Sequence, residues 1–126
     1  MVKILLVEDE RVIRAEIRRI LTRDGHQVVD VASVPEAERE RPESFDLVIT
    51  DVRLSGETGD VLIERAGQVP VIVMTAYGST EVKQQALNGG ADSYWDKPLD
   101  VAELLAEIRR LEPSSRAAET SVDRLG

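Results

Sequence analysis

Glu8 and Asp9 follow the apolar run ILLV, Asp51 follows LVIT, Thr75 follows VIVM, and Lys97 with Pro98 closes the segment ADSYWD. If these runs are strands of one parallel sheet, their carboxyl ends open onto a single crevice. Three carboxylates, a hydroxyl and an ammonium then surround one point. Carboxylates crowded in this way raise one another's pKa unless a cation stands between them. A hard divalent ion with oxygen ligands meets that need, and Mg2+ does so while leaving room for phosphate oxygens. One Mg2+ and Lys97 bring the three acids to zero net charge. In such a site a carboxylate can attack phosphorus while metal and lysine neutralise the transferred oxygens.

Each residue has a plainer reading by itself. Glu8-Asp9 is what a helix N-terminus favours through its dipole. Asp51 can open an Asx turn, Thr75 can be an ordinary strand residue, and Lys97-Pro98 can mark a strand ending at a turn. Tyr94 can be an edge-strand aromatic. The conjunction of the right group at four separate strand ends is what favours chemistry.

The elements needed to position these groups are legible. Apolar runs at Lys3–Val7, Gln27–Val31, Asp46–Thr50, Val69–Thr75 and Ala91–Asp96 predict five strands. They are near-continuous rather than alternating, as expected of parallel strands covered on both faces. The fifth is polar enough to lie at an edge. Between them Ile13, Ile17, Ile20 and Leu21 form one helical face that Gly25 ends. Ser33 and Glu36 have capping-box spacing. Val61, Leu62 and Ala66 mark a brief third helix. Val82, Ala86 and Leu87 mark a fourth, with Ser79 or Thr80 as cap and Asn88-Gly89-Gly90 as stop. Val101, Leu104, Leu105 and Ile108 mark a fifth, capped by Asp100 with Glu103 three residues on. Five alternations of strand and helix predict a single α/β doubly wound domain. The arginine and glutamate runs from Arg11 to Arg23 and Glu36 to Glu43 read as solvated helix faces with i,i+4 pairs, and His26 as a solvated loop residue.

Composition narrows the function. The chain has 126 residues, 42% hydrophobic, with no cysteine and a formal charge of -8. Absence of cysteine excludes disulfides and thiolate metal sites. The acidic balance argues against direct nucleic-acid binding by this domain. No apolar run approaches the roughly 20 residues of a membrane helix, and the first residues lack a signal-peptide pattern. A cytoplasmic location with no membrane partner is the expectation. Residues 112–126 are small, polar and aperiodic, which predicts a linker or tail after a domain spanning 1–111.

The motifs ILLVED, LVITDVRL, VIVMTAYGS and ADSYWDKPLD resemble those of response-regulator receiver domains in two-component signalling, over about Lys3 to Leu111. The stretches MTAYGST and GGADSYWDKP look most like receivers of the nitrogen-regulatory type. The resemblance implies a (βα)5 flavodoxin-like fold with a parallel five-stranded sheet in order 2-1-3-4-5. It implies that Asp51 accepts a phosphoryl group from a sensor histidine kinase or a phosphotransfer protein. Asp9 would bind Mg2+ directly, Glu8 through water, and the Arg53 carbonyl would be a further ligand. Lys97 would act on the phosphoryl oxygens, and Pro98 would follow through a cis bond. Thr75 would turn toward the phosphoryl group and Tyr94 would swing inward, remodelling the face of helix 4, strand 5 and helix 5. Such a protein is a signalling switch that catalyses its own phosphorylation and dephosphorylation, not a metabolic enzyme. Its output would be transcription regulation through another module or a partner, with a homodimer on phosphorylation also open.

Three other classes compete. A phosphate-independent pseudo-receiver would not need the full set of acids, Thr75 and Lys97. A flavodoxin-like nucleotide or flavin binder needs a phosphate loop after strand one, where Glu8-Asp9-Glu10 stands. A haloacid-dehalogenase-like phosphatase wants an acid two residues after the nucleophile, where Arg53 stands.

The chain also departs from the family pattern. Ser55 replaces a common proline, and the stretch from Asp51 to Pro70 is about one helical turn short. Trp95 takes an aliphatic position, where it is expected to fill the gap left by the short third helix. Asp96 precedes Lys97, and strand alternation points it away from that lysine. In the family the chain resembles, the positions two residues beyond Asp51 and Thr75 tune how readily water reaches the acyl phosphate, and the Arg53 and Tyr77 that stand there imply shielding. Slow dephosphorylation is expected: the phosphoryl half-life, followed by intact mass after removal of the donor, should be minutes or longer, and a half-life of seconds would contradict it.

Overall fold

A computed structural model describes residues 2–51, 53–54, 57–58, 61–75, 80–96 and 100–111, and side chains for all of these except 53–58 and 80–82. Five strands form one parallel sheet: β1 (Lys3–Val7), β2 (Gln27–Val31), β3 (Leu47–Asp51), β4 (Val71–Thr75) and β5 (Ser93–Asp96). Their order is β2-β1-β3-β4-β5, as the motifs imply. The helices are α1 (Arg11–Arg23), α2 (Val34–Arg39), α3 (Val61–Arg65), α4 (Thr80–Asn88) and α5 (Val101–Leu111).

Three strands differ slightly at their starts, each for a local reason. β3 begins at Leu47, because Asp46 turns its carboxylate onto the Lys3 amide at 2.9 Å. β4 begins at Val71, after Pro70, which has no N–H and gives only its carbonyl, accepting from Val48 N–H at 3.0 Å. β5 begins at Ser93, because the Asp92 side chain accepts from the Val71 amide at 2.9 Å.

Alternation along the strands divides the core in two. Ile4, Leu6, Ile49, Ile72 and Met74 meet Ile17 and Leu21 of α1 and Leu104 and Ile108 of α5. Leu5, Val7, Val48, Val71 and Val73 meet Val34 and Ala37 of α2, Leu62 and Ile63 of α3 and Ala86 of α4. The central strands β3 and β4 are buried at every described position, which explains their unbroken apolar runs. Trp95 packs on the α1/α5 side and Tyr94 on the α3/α4 side. The half-buried indole therefore fills no gap left by α3, since α3 covers the opposite face. That helix has only five residues, in line with the short stretch between Asp51 and Pro70.

Helix ends follow the sequence closely. The amides of Gly25 and His26 donate to the carbonyls of Thr22 and Leu21, a Schellman closure of α1 that the φ of 92° at Gly25 permits. Gly90, with φ of 108°, closes α4 in the same way. A Cβ on Gly90 would meet the Ile63 side chain at 3.3 Å, so α3 and α4 approach through this glycine. Ser33 Oγ accepts from the Glu36 amide, and Glu36 reaches back to the Ala32 amide, a capping box displaced by one residue. Asp100 accepts from the Glu103 amide at 3.0 Å. Of the apolar residues expected to mark α4, Ala86 is buried and Leu87 is 38% exposed.

Two polar expectations need correction. His26 is buried, not solvated. Its Nδ1 accepts from the Val2 amide at 3.1 Å, so Nε2 carries the hydrogen and donates to Asp24 at 3.0 Å. Arg14 and Arg18 do not pair within their helix: both reach across to Asp30 on β2, at 3.3 and 2.6 Å.

Ser93 and Arg110 both donate to the Glu107 carboxylate, joining α5 to β5. Burial pushes the Glu107 carboxyl up, but the bonds from Arg110 and Ser93 outweigh it and hold it below its ordinary value. A carboxylate depressed in the folded state stabilises above its unfolded pKa, and that contribution is lost as pH falls through the folded value. Glu107→Gln should therefore cost about 1–2 kcal/mol at neutral pH. The gap should close only as pH falls below the ordinary glutamate range and through the depressed folded value. Urea unfolding of both proteins across pH 3–7 measures this; a gap that is constant with pH contradicts it.

Candidate metal-binding and phosphoacceptor site

The site is built by register. β1 pairs with β3 so that Val7 lies opposite Thr50. The next residues, Glu8 and Asp51, then emerge at the same level of the sheet. Glu8, Asp9 and Asp51 each bring one carboxylate oxygen within 4.8 Å of the others. Glu8 is fully buried, Asp51 is 5% exposed and Asp9 is half-buried. Buried acids at this spacing need a counter-charge. Oxygen-only donors at a strand-end crevice fit a hard divalent cation that keeps part of its water shell.

The backbone around the acids is tightly held. The Glu8 amide donates to the Val31 carbonyl of β2 at 3.0 Å. Glu8 Oε2 accepts from the Glu10 amide at 3.0 Å, and the Glu8 carbonyl accepts from Arg14 Nη1 at 2.8 Å. On β3, Thr50 Oγ1 donates to the Asp51 carbonyl at 2.9 Å. Thr75 ends β4 and is buried, one position beyond the Met74 that pairs with Asp51.

Tyr94 is half-buried, and its hydroxyl is out of water with no hydrogen-bond partner among the described residues. Burial, and then the Asp96 carboxylate two residues along the same strand face, hold the phenol above its ordinary value. Asp96 pairs in register with Thr75 and is exposed. Arg53 begins a two-residue antiparallel pairing, opposite Thr58. Lys97, Pro98, Ser55, Tyr77 and Ser79, and the segment 112–126, lie outside the described residues.

The structure thus brings together Glu8, Asp9 and Asp51, with Thr75 and Tyr94 on the next strands. Sequence reading missed Arg14, Asp30 and Thr50 as supports. A signal for the first two was present: Asp30 interrupts the apolar run QVVDV, and Arg14 has Arg18 rather than an acid at i+4.

The sequence model of the response regulator receiver domain matches residues 4–109. The chain belongs to this family. FleR, a response regulator protein of Pseudomonas aeruginosa, is 37% identical over 116 residues, covering 86% of this chain and 24% of FleR. A CheY-like receiver domain protein from Methanospirillum hungatei superposes with a TM-score of 0.82 at 30% identity, covering 92% of this chain and 97% of its own. The beryllofluoride-activated NtrC4 receiver domain dimer superposes with a TM-score of 0.81 at 27% identity, covering 90% and 98%. This receiver spans between about a quarter and a half of the length of the curated relatives it matches. Among its described residues no helix is long and apolar enough to cross a membrane.

A cation that binds only the folded acids stabilises the fold by mass action, by about 2.7 kcal/mol at 100 times its Kd. Mg2+ should therefore raise the Tm of wild type in a concentration-dependent way. Asp9→Asn should abolish that rise, and in chelator it should melt at or above wild type, because one repelling charge is gone. Scanning calorimetry with Mg2+ and with chelator checks both signs; an equal Mg2+ shift in the variant contradicts the metal reading.

Proposed function

We propose that this receiver takes a phosphoryl group onto Asp51 from a sensor histidine kinase or a phosphotransfer protein and uses it to switch an output. The convergence of the Glu8, Asp9 and Asp51 carboxylates at the carboxyl ends of β1 and β3 carries the reading. Glu8, Asp9, Asp51 and the Arg53 carbonyl would hold Mg2+. When bound, Mg2+ neutralises charge on the phosphoryl oxygens. A carboxylate oxygen of Asp51 attacks phosphorus as the bond from phosphorus to the donor's imidazole nitrogen breaks. Lys97 accompanies the transferred oxygens. The Thr75 hydroxyl donates to the new phosphoryl group, and Tyr94 moves into the space this leaves. The place of Tyr94 on the strand next to Thr75, half-buried at the carboxyl end of β5, supports a side chain that has two resting places. Val12, three residues beyond Asp9, is 78% exposed and offers apolar surface that a protein donor can cover.

The finer parts of the reading rest on similarity. Residues 1–111 form the receiver, and 112–126 a polar linker or tail. MTAYGST and GGADSYWDKP favour the nitrogen-regulatory type, and the likeness to the NtrC4 receiver supports it. The output is transcription regulation, phosphorylation favours a homodimer, and the location is cytoplasmic.

Incubation with acetyl phosphate and Mg2+ should add one phosphoryl mass, absent with Asp51→Asn and with chelator. If no adduct forms, and beryllofluoride with Mg2+ also leaves Trp95 fluorescence unchanged, the chain is a phosphate-independent interaction module.

A further inference from the structure

We propose that Arg14 is a positioning residue for the divalent-cation site, acting through the Glu8–Asp9 peptide and anchored by Asp30. The inference rests on the reading of Glu8, Asp9 and Asp51 as that site. Arg14 lies in the first turn of α1, and its guanidinium is shared between two elements. Nη1 donates to the Glu8 carbonyl at 2.8 Å, and Nε to Asp30 Oδ2 on β2 at 3.3 Å. Its side chain is 20% exposed and that of Asp30 19%. The peptide bond is planar, so the Glu8 carbonyl shares one rigid plane with the Cα atoms of Glu8 and Asp9. Holding that oxygen fixes the plane from which both carboxylates project. The bonds of Glu8 N–H to Val31 and of Glu10 N–H to Glu8 Oε2 act on either side of that plane. Arg18 shares Asp30 but is 56% exposed, and no contact of its side chain reaches the acid loop among the described residues.

Arg14 also works against the local helix energetics. A cation in the first turn opposes the helix dipole, and Arg14 with Arg18 is a like-charge i,i+4 pair. Asp30 relieves that conflict and at the same time aims the fork. A planar guanidinium with several fixed donors suits this double duty, and an ammonium does not.

The sign of the effect separates positioning from electrostatics. Removing a cation near a divalent-metal site, by Coulomb's law alone, tightens metal binding. Removing a positioning group weakens it, by roughly tenfold or more for a partner that orients ligands. Mg2+ affinity is to be measured by isothermal titration on wild type, Arg14→Met, Arg14→Lys, Arg18→Met and Asp30→Asn, with circular dichroism to verify folding. Arg14→Met should weaken Mg2+ roughly tenfold or more, with Arg14→Lys close behind because it keeps charge but cannot fork. Arg18→Met should leave the affinity unchanged or slightly tighter. Asp30→Asn should weaken Mg2+ too, but charge loss and misaiming have the same sign there. If Arg14→Met does not fold, Arg14→Lys decides, because it keeps the charge: it should weaken Mg2+ several-fold, and unchanged binding overturns the inference. Equal or tighter binding by folded Arg14→Met, or equal weakening by Arg18→Met, also overturns it. Absence of Mg2+ binding by wild type instead overturns the metal reading itself.

Discussion

Mutual repulsion of Glu8, Asp9 and Asp51 is the constraint around which the rest of this protein is arranged. Like charges 4–5 Å apart near a protein surface repel by on the order of 3–4 kcal/mol per pair. The three oxygens lie within 4.8 Å of one another, and Glu8 is fully buried. Such crowding is sustained where opposite charge stands among the acids and the rest of the chain holds them in place. Here the work falls to the sheet, whose register places Val7 beside Thr50 and leaves the acids no other level at which to emerge.

The two-sided core supplies the opposing stability. β3 and β4 bury every described side chain, with α1 and α5 on one side and α2, α3 and α4 on the other. Polar anchors sit at the far end of the sheet or on its flanks. Asp46 holds the Lys3 amide, His26 joins Val2 to Asp24, and Arg109 of α5 reaches Asp24 at 3.4 Å. The first strand, the C-terminal end of α1 and the last helix are thus tied together away from the acids. The strand-end loops are left to carry chemistry, which is the usual division of labour in doubly wound sheets.

The carboxyl ends of the sheet also place Thr75 and Tyr94 on neighbouring strands, with Tyr94 one register step inside the pair formed by Met74 and Trp95. On the proposed reading, a phosphoryl group on Asp51 would act first at Thr75 and next at Tyr94. Packed cores respond to such a change by choosing between arrangements rather than deforming smoothly.

Fold class was legible in the sequence because parallel strands covered on both faces leave unbroken apolar runs, and because Gly25, Gly90, Ser33 and Asp100 end or begin helices by local chemistry. The acids of the site were legible because strand ends in such a sheet converge whatever the details. Other features depended on tertiary placement. Strand starts moved by one or two residues where Asp46, Pro70 and Asp92 form bonds to partners distant in the chain. Trp95 faces α1 and α5, because its side of β5 is set by register with β4 and not by the length of α3. His26 is buried because Val2 and Asp24 bring it two partners, only one of them near in sequence. Arg14 reads as one arginine among several on a solvated helix. Only the packing of α1 over β2 gives it Asp30 and the Glu8 carbonyl, since a side chain's partner across a fold is fixed by where two elements meet, not by the spacing within either.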